Sequence, residues 1–236
     1  MMRVTCIIAL LPYFVSALAL RSNFRYASVR MAANTVTFEQ ALETAPDLCQ
    51  ALQAGNAPDG LGEFLSTSAG SRGFFVHYLT NDDFTCADAS EPPSALITSL
   101  EQSASDATIE IMLMNVVMSA GTAVLHERAG NTEQASSSRR TSARARILVN
   151  ALLDKLPAMQ SSLTALNAAV ASENGREVLF LQPGTVAAEG ETSFVLAASE
   201  EEAVDTWLAF IARWKYDKGQ LSEIAEALSL CGAAGE

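Results

Sequence analysis

The stretch Asp106–Arg128, DATIEIMLMNVVMSAGTAVLHER, decides how this chain folds. From Ile109 to Leu125 it is apolar nearly all round, broken by Glu110, Asn115, Ser119, Gly121 and Thr122. A surface helix carries one apolar stripe, so a helix that is apolar on every side belongs at the buried centre of a bundle. A membrane span needs about 20 apolar residues. These interruptions leave the stretch too short and too polar to cross a bilayer comfortably.

Helical signals continue on both sides. Upstream, Thr37 and Gln40 form a capping box, and Phe38, Leu42, Ala45, Cys49 and Leu52 mark one face of a helix bent at Pro46. Gly55–Gly62 reads as a loop. Gly70–Thr80, GSRGFFVHYLT, is expected to begin with Ser71 as a helix cap and to bury Phe74 through Leu79, although a bulky run of this kind also permits a strand. Asn81–Pro93 is an acidic, turn-rich connection, after which Ser94 should cap a helix ending near Ser103.

Downstream, Gly130–Ser138 reads as a polar loop, followed by a helix over Arg139–Leu156 and another starting at Pro157. Glu177–Leu181 and Thr192–Leu196 are expected as two short strands, forming a hairpin or an insertion over 177–198. Ser199 with Glu202 resembles a capping box for a helix bearing Val204, Trp207, Leu208, Ile211 and Trp214. Gln220–Leu230 is the last helix. The expected fold class is mainly α, an orthogonal or bundle-like packing of about five to seven helices with a minor β hairpin.

The first residues differ in chemistry. Residues 1–38 hold Arg3, Arg21, Arg25 and Arg30 and no acid. Val4–Leu20 is an apolar run ending in Ser16-Ala17-Leu18-Ala19, the small residues of a signal-peptidase site. Leu20–Asn34 is basic, acid-free and rich in Ser and Ala, as transit peptides are. The division is therefore a removable presequence over 1–34 and a single domain over 35–236. Formal charge is −12 over the 236 residues, so loss of the arginine-bearing segment leaves a domain near −16. Such a domain repels nucleic acid. Of the four cysteines, Cys6 lies in the presequence, and Cys49, Cys86 and Cys231 lack metal-ligand spacing, leaving their pairing open.

Chemistry-bearing motifs are sparse. No nucleotide loop, nucleophile elbow or zinc-helix motif is present, so no cofactor, metal or catalytic residue is expected. The Gly70–Gly73 turn could present Arg72 and backbone N–H groups to an anion, yet it lacks the completing residues of a phosphate loop. Arg139, Arg140, Arg144 and Arg146 form the one local basic concentration and are expected to bind an acidic partner. They could instead be neutralised by the domain's own acids. His77, Tyr78, Trp207 and Trp214 are the candidates for a ligand or pigment pocket. A Cys86–His77 enzyme, with Asp82, Asp83 and Asp88 nearby, is the weakest reading.

The runs GSRGFFVHYLT, NVVMSAGTAVLHERAGN and SSSRRTSARARIL resemble a small helical family of cyanobacteria and plastids without an established activity. The resemblance spans about residues 36–170 and the final helices, with Arg72, Arg128, Arg139, Arg140 and Arg144 at its polar positions. The presequence is similar to the bipartite targeting segments of algae with complex plastids. Together these imply a plastid location, in the stroma or at the thylakoid, with secretion as the alternative. The implied function is a non-enzymatic accessory protein with a protein partner, a photosynthetic complex being the expected one. No transmembrane span is expected in the mature chain, and peripheral membrane contact is compatible with this reading. The alternative is a small-molecule or pigment-binding helical protein.

Overall fold

The computed structural model describes residues 36–180 and 198–232, with side chains placed for 36–175 and 201–232. The presequence expected over residues 1–34 lies outside the described residues. Among the described residues there are nine α-helices and no strands. They are α1 Phe38–Gln53, α2 Leu61–Leu65, α3 Ser68–Thr80, α4 Ser94–Ser103, α5 Asp106–Arg128, α6 Thr132–Leu152, α7 Pro157–Phe180, α8 Ala198–Trp214 and α9 Lys218–Ser229, with a 3-10 turn over Thr85–Ala87 between α3 and α4.

The mainly α class stands, and the hairpin does not. Glu177–Phe180, expected as strand, is the last turn of α7. A short apolar run satisfies either period, and no proline separates it from the helix already running from Pro157. Thr192–Leu196 lies outside the described residues. Nine helices stand where five to seven are expected, and one of the additions, Leu61–Leu65, is concealed by the glycines around it.

α5 is the pillar. Ser105 caps it by accepting the Thr108 N–H, and Ile111, Met112, Leu113, Val116, Val117, Ala120 and Ala123 are buried. By length and composition it could cross a membrane, but more than half of its most apolar window is buried inside the protein. α6 and α9 pack most extensively on it, α3 and α7 less so. Around this pillar α1 crosses α3, α2 meets α4, and α7 packs on α8 and α9.

The glycines of GSRG set helix crossings. A Cβ on Gly73 would lie 2.6 Å from Ala41 Cβ and 2.7 Å from the Ala41 backbone carbon, so α1 and α3 touch backbone to backbone there. Ser71 does not cap α3. Thr67 does, accepting the Gly70 N–H at 3.0 Å, and Ser71 lies a turn inside with no exposed surface. Its hydroxyl lies 2.8 Å from Leu65 O, 2.6 Å from Thr67 O and 3.1 Å from the Thr108 hydroxyl, a buried polar knot joining α2, α3 and α5.

Other helix ends shift by similar logic. The Thr37–Gln40 capping box is present on α1. The second is Asp217–Gln220 on α9, because α8 begins at Ala198 and Ser199 is already inside it. Pro93, rather than Ser94, precedes α4. Residues 132–138, read as loop from their serines, are the first two turns of α6.

Gly175, by contrast, touches nothing that a Cβ would meet and does not have a positive φ. Gly175→Ala should therefore stabilise the protein by about 0.5–1 kcal/mol, the helix-propensity difference, read as a higher urea midpoint.

Candidate functional site on the arginine helix

The arginines expected to form a docking face lie on α6, and the fold treats each differently. Arg144 points inward and is 1% exposed. Its Nε donates to Asp88 Oδ1 at 2.6 Å and one terminal nitrogen donates to Asp88 Oδ2 at 2.7 Å, a bidentate pair. That same terminal nitrogen reaches Phe84 O at 3.2 Å. The other lies 2.8 Å from Asn81 O and 3.2 Å from Leu79 O, so all five N–H donors have acceptors. Leu79 is in the last turn of α3, where carbonyls have no partner within the helix. One guanidinium thus caps α3 and holds the loop that follows it.

Arg140, one turn earlier, is partly exposed and pairs with Asp82 at 2.8 Å and Asp88 at 3.3 Å. Arg139 bridges two other helices, reaching Glu127 of α5 at 2.6 Å and Glu223 of α9 at 2.8 Å, which raises its pKa further. Arg128, at the end of α5, makes a double hydrogen bond to Asp217, the residue that caps α9. Gly219 leaves room for it, since a Cβ there would lie 2.3 Å from Arg128 Nη2.

Arg146 is different. It is half-buried and has no ionic partner among the described residues. With Lys155, Ile147 and Ala151 it forms one wall of an open groove of about 790 Å³, faced by Ile97 of α4 and by Leu230, which is 45% exposed. Glu91 also lines the groove, and Lys155 pairs with Glu101 at 3.4 Å.

Arg72 is exposed on α3 and has no ionic partner among the described residues. It stands seven residues, about 10 Å of helix rise, before the Leu79 carbonyl that Arg144 holds, and among the described residues it shares no ion pair with the carboxylates that the α6 arginines hold. His77 is half-buried, its pKa lowered first by burial, with the Leu42 backbone acting in the opposite direction. Tyr78 is buried and stacks on Phe74 at 5.3 Å. Trp207 is buried on α8 with Phe210 edge-on at 5.6 Å, whereas Trp214 is 39% exposed. α3 and α8 have no substantial contact, so the four pocket candidates are not brought together. No group of three or more His, Cys, Asp or Glu able to hold a metal occurs among the described residues.

The sequence offers Asp88 only as one of the acids near Cys86 and His77, and its pairing with Arg144 is not legible because an acid in a turn-rich stretch reads as solvated. Arg144's hydrogen bonds hold its carboxyl below the ordinary carboxylate range. Asp217 is held down to about 2, first by Arg128. A carboxyl depressed in the folded state contributes stability above its unfolded pKa of about 4 and loses it as pH falls through its folded value. Tm should therefore drop between pH 4 and pH 2, and Asp217→Asn should make that drop smaller in a thermal scan.

The family model described as "Uncharacterised conserved protein UCP020893" matches residues 37–191. The chain belongs to that family. The match takes in α1 to α7, and with them the Arg144–Asp88–Arg140 assembly, whereas Asp217 and Glu223 lie beyond it. Among curated proteins none matches significantly, and the same holds among solved structures.

Proposed function

We propose that the protein is a non-enzymatic accessory protein of the plastid that docks to a protein partner, with a photosynthetic complex the expected setting. The plastid reading rests on the basic, acid-free residues 1–34. The docking surface is the groove between α4 and α6. The observation that carries it is Arg146, a guanidinium with no ionic partner among the described residues, in a domain where Arg128, Arg139, Arg140 and Arg144 all have one. Its occupant is a protein segment carrying a carboxylate beside an apolar side chain. The carboxylate would take a two-pronged hydrogen bond from Arg146, and the apolar group would rest on Ile97, Ile147 and Leu230.

The test is a pull-down from plastid extract with the full chain and with Arg146→Glu, using Arg213→Glu on the exposed face of α8 as control. Partners lost with Arg146→Glu and kept with Arg213→Glu, at equal Tm, are the expected result. Identical partner sets for all three proteins would sink the groove as the docking site. A fluorescent fusion of residues 1–38 that is secreted instead of imported would remove the plastid setting.

A further inference from the structure

We infer that Cys49 and Cys86 are a disulfide-forming pair that fastens the acidic loop after α3 to α1. Cys49 lies on α1 with no exposed surface. Cys86 sits in the 3-10 turn, half-buried, and packs against the same core. Gln53 joins their segments: its Nε2 donates to Asp83 O at 2.6 Å, and its Oε1 accepts the Cys86 N–H at 3.1 Å. Gln53 follows Cys49 by one turn on the same helix face, where Cβ atoms four residues apart are about 5–6 Å from each other. The side chain that grips the Cys86 backbone thus springs from the helix position one turn beyond Cys49. The turn that bears Cys86 packs directly on α1. Cys231 is elsewhere, at the end of α9, near Ala227 O.

The chemistry is thiol–disulfide exchange with a small disulfide such as oxidised glutathione. Cys86, the more accessible thiol, loses its proton to solvent and attacks one glutathione sulfur. A glutathione thiolate leaves and takes up a proton, and a mixed disulfide remains. Cys49 loses its proton and attacks the Cys86 sulfur, expelling the second glutathione thiolate. Two protein thiols are oxidised and one glutathione disulfide is reduced to two thiols. Burial raises both thiols, most strongly Cys49, while the Arg144 guanidinium works in the opposite direction on Cys86. The second step is therefore the slow one, and it accelerates as pH rises. The product ties α1 to the loop bearing Asp82 and Asp88, the partners of Arg140 and Arg144.

The test incubates the folded full chain with oxidised glutathione at pH 8.5 and maps disulfides by non-reducing digestion and mass spectrometry. The expected result is a Cys49–Cys86 cross-linked peptide, two hydrogens lighter than its parts, with Tm raised by roughly 5–10 °C over the reduced protein. Cys86→Ser and Cys49→Ala, each checked for folding by its Tm under reducing conditions, should both lose the cross-link and the rise. A glutathione adduct that persists on Cys86 beside a free Cys49 overturns the inference. So does a cross-link that forms only in urea, or a folded chain that shows no reaction.

Discussion

Arg144→Ala should lower the unfolding free energy by about 3–5 kcal/mol and Tm by about 10 °C. The variant removes a side chain that is 1% exposed and leaves Asp88 without its bidentate partner. It also strips the hydrogen bonds from the carbonyls of Leu79, Asn81 and Phe84. Water can reach Asp88, whose side chain is 42% exposed, so its carboxylate is partly resolvated and its share of the loss is modest. The carbonyls at the end of α3 have no such relief, and the volume of the guanidinium is lost with its bonds. Arg144→Lys should recover little, since an ammonium cannot reproduce the planar fork that meets Asp88 and the loop together. Urea unfolding at neutral pH measures the effect. A loss below about 1 kcal/mol would mean that the loop holds itself.

Gly73→Leu should be the second severe change, costing about 3 kcal/mol or more. An alanine at a helix interior is favoured over glycine by about 1 kcal/mol. At Gly73 the new Cβ would press on the backbone of Ala41, which cannot swing away as a long side chain could. Even Gly73→Ala should therefore be net destabilising, and leucine adds a side chain where α1 and α3 leave no gap. The opposite sign expected for Gly175→Ala separates this packing effect from propensity. Circular dichroism melts of the three variants would show it, and a stabilised Gly73→Ala would refute the close crossing.

The central helix was readable because its signal is long. Seventeen residues, Ile109 to Leu125, apolar nearly all round have one good place in a helical protein, and α5 occupies it. The Thr37–Gln40 box was readable because both members lie within one turn. Short signals misled. Glu177–Phe180 satisfies a strand pattern and is a helix end, and the serines of residues 132–138 look like loop but have Glu133 and Ala135 to start α6. The arginines show the deeper limit. Sequence spacing placed Arg140 and Arg144 on neighbouring positions of one helix, but which of them faces inward depends on where α3 ends. That end falls at Thr80, with Asn81 as its C-cap, and the spacing of GSRG did not disclose it. Asp88 lies 56 residues from Arg144, too far for any local pattern to join them. Arg146 was legible as one of a cluster, and only the partners found for its neighbours set it apart.

The most direct test of this account is a double-mutant cycle on Arg144 and Asp88, with Arg144→Met, Asp88→Asn and the double variant unfolded in urea. Arg139, Arg140 and Arg144 are internal fastenings, and Arg146 is the α6 arginine without an ionic partner among the described residues. The expected coupling energy is about 1 kcal/mol, with the double variant less damaged than the sum of the singles. Additive losses, or an Arg144→Met variant as stable as the wild type, would contradict it.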